Sequence, residues 1–280
     1  MSFSTAPSFH VEPFRIGAVL GRSVEIFLNR YFVFAAIALI FFMPGIVAQY
    51  AFGAWSAPVS PKLSDLQRLL TPILITSPLS LIGVSTLIVL SMQRLNGETT
   101  DVGAAFHQAL GRFFPVLGIV LLLMALIMVI SVTAGIVGGV AVGLVLALSH
   151  APDSYSMLIR VAVAVPIFVL VMMVACMFVV AMPACLTERL GVWASLQRSR
   201  ELTEGQRWRI LGLLTIVGLP SMLLEFAGEG LSPLVLSICN LAFILLWSPF
   251  VAALMTVIFH DLRLALEGEG VIGGRTARID

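Results

Sequence analysis

FFPVLGIVLLLMALIMVISVTAGIVGGVAVGLVLALS, Phe113–Ser149, runs for 37 residues without an acidic or basic side chain. A hydrocarbon core about 30 Å thick is crossed by roughly 20 apolar residues in a helix. This run exceeds a bilayer span, so it must tilt, bend or continue past the membrane. Five more apolar runs flank it: Tyr31–Phe52, Leu69–Met92, Leu158–Ala184, Ile210–Leu224 and Leu234–Phe259. Ile210–Leu224 falls short, at about 22 Å of helix, unless it extends through Glu225 to Gly228. The fold class expected is all-α, a polytopic transmembrane bundle of six spans.

Composition agrees. The 280 residues are 59% hydrophobic and 11% charged, against about 45–50% and about 25% in soluble domains. Mean hydropathy is +1.06. A chain this apolar cannot be shielded from water by its own folding, so lipid is part of its solvent. A net charge of +1 gives no pointer to nucleic acid, and none is expected as a partner.

Six spans place both termini on one side. Arg15, Arg22, Arg30, Arg94, Arg112, Arg189, Arg198, Arg200, Arg207, Arg209, Arg263, Arg275 and Arg278 fall there, and only Lys62, Arg68 and Arg160 fall opposite. The positive-inside rule then makes both termini cytoplasmic and the location a bacterial inner (plasma) membrane. Five or seven spans would scatter the arginines. The first run starts at Tyr31, after Glu12, Arg15, Arg22, Glu25 and Arg30, unlike a cleavable signal peptide. The expected organisation is one membrane domain over 1–280: a tail at 1–13, an interfacial helix at 14–30, spans within 31–259, and a cytoplasmic tail at 260–280.

A similar piece precedes spans one, three and five. Phe14–Arg30 places Ile16, Val19, Leu20, Val24, Phe27 and Leu28 at three- and four-residue steps, with Arg15, Arg22, Glu25 and Asn29 on the other face, the mark of an amphipathic helix. Asp101–Arg112 and Gly191–Arg207 repeat the theme. Each ends in an arginine followed by an aromatic residue: Arg30-Tyr31, Arg112-Phe113 and Arg207-Trp208. Aromatic rings favour the headgroup boundary, and arginine reaches phosphate beside them. Three units are expected, each an elbow helix lying in the interface followed by a transmembrane hairpin. Arg30, Arg112, Arg207 and Trp208 are the candidate headgroup contacts. The plainer reading is that short amphipathic loops are common in inner-membrane proteins.

Prolines 44, 72, 78, 166, 183, 220, 233 and 249 lie in or at the ends of spans, where freed carbonyls need other partners. Gly135, Gly139 and Gly143 recur every four residues, a small-residue ridge for helix packing within the monomer or in a homodimer. Cys176, Cys185 and Cys239 show no paired spacing and read as packing residues.

The stretch Met182–Leu211, MPACLTERLGVWASLQRSRELTEGQRWRIL, resembles a bacterial membrane-domain family named for its fusion to glycerophosphoryl diester phosphodiesterases. The matching residues are Pro183, Glu188, Ser199, Leu202, Thr203, Gly205 and Trp208. HDLRLALEG, His260–Gly268, is similar to the family's ending through Asp261, Leu262, Arg263, Glu267 and Gly268, with His260 replacing the usual aromatic residue. The resemblance covers residues 182–268 and implies a six-span inner-membrane protein. It implies no phosphodiesterase activity, which belongs to a separate soluble domain. Gly205 is placed to take a left-handed helix cap. Glu188, Asp261 and Arg263 are candidates for a structural clamp, pairing with one another or with Arg207, or else for binding anionic headgroups.

Catalytic constellations are missing. His10, His107, His150 and His260 share no metal-ligand spacing, and no nucleophile elbow, Walker loop or Cys–His pair appears. No cofactor, metal or catalytic residue is expected, and the chain does not read as an enzyme. Glu225 is the one candidate intramembrane acid, lying in the outer part of the bilayer if span five extends, or facing the periplasm if Pro220 shortens it. Gln49 and Asn240 read as interhelical hydrogen-bonding groups. The expected role is non-catalytic: binding or organising lipids, other membrane proteins or further copies of itself. The alternative is a small-molecule or lipid transporter with Glu225 as coupling residue.

Overall fold

A computed structural model describes residues 16–51, 63–149, 153–228 and 232–267, and among these the chain is all-α. In order come α1 (Ile16–Asn29), α2 (Tyr31–Ala51), α3 (Leu63–Leu95), α4 (Val102–Gly111), α5 (Phe113–Ser149), α6 (Asp153–Phe178), α7 (Ala181–Thr187), α8 (Val192–Thr203), α9 (Arg207–Gly228) and α10 (Pro233–Glu267). Six windows are long and apolar enough to cross a membrane: Tyr31–Ala48, Thr76–Leu95, Phe113–Leu144, Val161–Thr187, Arg207–Leu224 and Ile238–Glu267.

Short helices precede spans one, three and five. In α1, Val19, Ser23 and Ile26 form the buried stripe, and the Ser23 hydroxyl donates to the Val19 carbonyl at 2.8 Å. The α3–α4 turn is closed by Gly97 at φ 72°, with Glu98 N–H donating to Gln93 O at 2.9 Å, a Schellman ending that a left-handed residue permits. Asp101 caps α4, its Oδ1 accepting from Gly103 N at 2.8 Å and Ala104 N at 3.2 Å, and Ala105 and Ala109 seat that helix on α3. Gly205 stands at φ 79° just past α8, the left-handed position expected for it.

Two packing groups emerge. In one, α2 and α10 pack on α3 and on each other, with α1 along α10 and α4 on α3. In the other, α5, α8 and α9 pack on α6. The short α7 joins them, touching α3, α5, α8 and α10. Its Ala181, Pro183, Ala184, Cys185 and Leu186 are all buried, and mostly small side chains let four elements converge there. At one point in the first group, Gly83 admits α2 closely: a Cβ there would sit 2.6 Å from Phe41 Cβ.

The core lies at one end of the bundle. Leu87, Ile88 and Leu90 near the end of α3, Ile119 near the start of α5, Ile210 and Leu213 at the start of α9, and Leu254, Ile258, Phe259 and Leu262 late in α10 are fully buried or nearly so. Beyond it, α5 exposes Leu121, Met124, Met128, Val129, Val132, Ile136, Val137, Val140 and Leu144. Shielding each such side chain from water is worth about 1.5–3 kcal/mol, so these surfaces belong against lipid.

Four expectations change. The fourth span is broken at Val179–Val180, between α6 and α7. The third hairpin is open: among the described residues α9 packs chiefly on α6, while α10 packs on α3, α1 and α2. Within the stretch expected as a tail from residue 260, α10 continues as helix to Glu267, with Leu262 buried. Finally, a Cβ at Gly135, Gly139 or Gly143 would meet nothing within 4 Å, whereas at Gly138 it would lie 2.9 Å from Ile167 and Val163 of α6. One residue turns a helix by about 100°, so the packing stripe is the neighbouring one. The expected tail at 1–13, and the part of the expected 260–280 tail from residue 268 onward, lie outside the described residues.

Candidate functional site

At the packed end of the bundle the charged side chains divide into two sets. The first is a closed ring. Glu188, the C-cap of α7, places Oε2 3.3 Å from Arg198 Nε on α8 and Oε1 3.5 Å from Arg263 Nε on α10. Arg263 Nε donates to Glu267 Oε2 at 3.0 Å, and Glu267 Oε1 pairs back to Arg198. Two carboxylates and two guanidiniums thus neutralise one another, and their side chains keep 12–23% exposure. Beside the ring, Arg22 Nη2 of α1 reaches Asp261 Oδ2 of α10 at 2.5 Å. The ring ties α8 of one packing group to α10 of the other, while the Arg22–Asp261 pair fastens α1 to α10 within the first.

Of the expected clamp residues, Glu188 and Arg263 are brought together. Asp261 pairs with Arg22, not with Arg207. Arg198 and Glu267 were not singled out from sequence as ring members. Glu267 carried a signal, since it stands four residues after Arg263 on one helix. Arg198 carried none: choosing it over Arg200 requires the rotation of α8, fixed by its buried residues Ser195, Leu196, Ser199, Leu202 and Thr203.

The second set is open. Arg30, Arg112 and Arg207 stand where elbow helix meets span and have no carboxylate partner among the described residues. Arg30 turns the chain between α1 and α2, its carbonyl accepting from Val33 and Phe34 N–H. Arg112 ends α4 as its C-cap. Arg207 opens α9, with Nε buried and without a hydrogen-bond partner. Next to them project Phe32, 85% exposed, Phe114, 80%, and Trp208, 69%. Trp193 on α8 is also exposed, a fourth ring not picked out from sequence.

No family model, curated protein or solved structure matches this chain. None of these comparisons supports the family resemblance drawn over residues 182–268. Several of the residues that carry it have structural work here. Ser199 Oγ donates to Met177 O at 2.8 Å, capturing the carbonyl left free where α6 breaks, and Thr203 Oγ1 donates to Ser199 O at 2.9 Å.

Glu225 lies on the last turn of α9, which continues as helix to Gly228; its side chain, like that of Gln49, lies outside what is described. Asn240 Nδ2 donates to Leu236 O of its own helix at 3.0 Å, so it does not bridge helices by that bond. With Thr76 and Ser80 it lines a cavity of about 190 Å³ between α2, α3 and α10. Cys176 and Cys185 are buried free thiols. Among the described residues no three His, Cys, Asp or Glu side chains gather as a metal-binding group.

Proposed function

We propose that this is a multi-pass protein of a bacterial plasma membrane, both termini cytoplasmic, that binds anionic phospholipid headgroups at its arginine-lined end and has no catalytic role. The bias of basic residues supports the orientation. The division of the arginines carries the rest. Arg22, Arg198 and Arg263 are engaged by carboxylates, whereas Arg30, Arg112 and Arg207, each beside exposed rings, have no such partner among the described residues. Guanidinium groups at the membrane surface attract anionic lipid with about 1 kcal/mol apiece and bind phosphate through paired N–H donors. The three elbows would organise surrounding lipid, and the family resemblance, with its six-span expectation, is compatible with that role.

The test uses spin-labelled phospholipids in bilayers holding the purified protein. The motionally restricted fraction should favour phosphatidylglycerol over phosphatidylcholine by roughly fivefold, the factor given by about 1 kcal/mol. Changing Arg30, Arg112 and Arg207 together to Gln should bring the ratio near unity; an unchanged ratio contradicts the proposal. The second reading is a transporter, favoured by the helical continuation of α9 through Glu225 and by the Thr76–Ser80–Asn240 cavity. It predicts that Glu225→Gln abolishes proton-dependent signals in liposomes.

A further inference from the structure

The α4–α5 and α7–α8 junctions line a cavity of about 430 Å³, whose walls are Ala104, His107, Gln108, Gly111, Arg112 and Arg189. No acidic side chain lines it, and neither arginine has a carboxylate partner among the described residues. The walls are fixed from behind. Gln108 Nε2 donates to Leu186 O at 2.9 Å, tying α4 to α7. Cys185 Sγ lies 3.5 Å from Leu190 O, and Glu188 is anchored in the ion-pair ring.

Arg189 itself is the unusual member. Its φ is 54°, and no other non-glycine among the described residues has a positive φ. For a residue bearing a Cβ this conformation costs about 1–2 kcal/mol, and glycine would relieve it. Arg189 directly follows the C-cap of α7, where a left-handed residue ends a helix; that arginine rather than glycine stands there leaves an exposed guanidinium on the cavity wall.

We propose that this cavity binds a single phosphate group, held by the guanidiniums of Arg112 and Arg189 with His107 beside them. Arginine's planar fork suits phosphate oxygens in pairs, and two such groups match the double charge a phosphate monoester can carry. A phosphatidic acid headgroup and free inorganic phosphate share this chemistry. The headgroup assignment rests on the reading that this end of the bundle faces lipid phosphates; Phe114, two residues after Arg112, is largely exposed.

Thermal unfolding of the full chain in detergent tests it, with short-chain phosphatidic acid, phosphatidylcholine of the same chain length, or inorganic phosphate as probe. Phosphatidic acid should raise the midpoint in wild type and phosphatidylcholine should not, as expected when ligand binds the folded state. Arg189→Gly should keep or raise the ligand-free midpoint while weakening phosphatidic acid binding about tenfold, the loss of one charge-assisted contact. Protection by inorganic phosphate as strong as by phosphatidic acid would uphold the phosphate site and assign it to a soluble ligand. Equal protection by both lipids, or wild-type affinity in Arg189→Gly, overturns the proposal. Arg30→Gln and Arg207→Gln, both outside the cavity, separate the two readings. If they lower anionic-lipid preference in bilayers while Arg189→Gly binds normally, the cavity fails and the elbow reading stands. The reverse result leaves the cavity standing without the elbows.

Discussion

Glu188 closes the charged ring from α7: like Glu267, it meets both Arg198 and Arg263. Its replacement by Gln leaves two guanidiniums sharing Glu267. Breaking a fully buried pair costs about 3–5 kcal/mol; with side chains 12–23% exposed solvent lowers this to an expected 2–3 or so. Glu188→Gln should therefore lower the unfolding midpoint in detergent clearly, whereas Arg200→Gln, on an exposed residue outside the ring, should change stability by no more than about 0.5 kcal/mol. Equal effects would show that the ring is incidental. The Arg22–Asp261 pair contributes less, about 1 kcal/mol at most, since Arg22 is 45% exposed. Sequence reading reached Glu188 with Arg263 because both stood at span ends among matched residues. It missed Arg22 with Asp261, a contact between opposite ends of the chain that local spacing does not encode.

Among elements, the apolar runs and the short helices before spans one, three and five were legible, because lipid imposes length and a half-buried helix carries an apolar stripe. The break between α6 and α7 was legible only through Pro183, which stands in the first turn of α7, where a missing N–H is tolerated; the rest of Met177–Ala184 is apolar and does not fix where the backbone turns. A second signal lies on α8, in the Ser199 hydroxyl that takes the Met177 carbonyl. Ser199→Ala removes the shorter of two hydroxyl donors to that carbonyl, leaving Thr203 Oγ1 at 3.4 Å, and should cost about 0.5–1.5 kcal/mol; a stability equal to wild type would mean the break is held by packing alone. The α5–α6 contact at Gly138 was not legible, because the four-residue spacing of Gly135, Gly139 and Gly143 marks a different stripe, which meets nothing within this chain. Gly138→Leu should destabilise by about 1–3 kcal/mol through overpacking against Ile167 and Val163, while Gly139→Leu, with open space around it, should be nearly neutral. Unfolding of the two variants side by side reads this directly; equal losses would contradict the α5–α6 packing.

For the whole molecule, the helices gather at the arginine-lined end and present apolar surface beyond it. Fold class was legible at this scale from composition and charge distribution, but the association of α9 with α6 was not, because span-to-span packing in lipid depends on shape more than on hydrophobicity. Orientation has its own check. A cysteine replacing Trp193, which is 74% exposed on α8, should react with a membrane-impermeant maleimide in inverted vesicles and stay unreactive in intact spheroplasts; the opposite pattern would invert the topology. The binding of anionic lipid at the free arginines is tested most directly by native mass spectrometry of the protein ejected from its own membrane. The account predicts wild type carrying phospholipid of anionic headgroup, and loss of that adduct when Arg30, Arg112 and Arg207 are changed together to Gln. A bare wild-type protein, or an adduct that the triple variant retains in full, would contradict it.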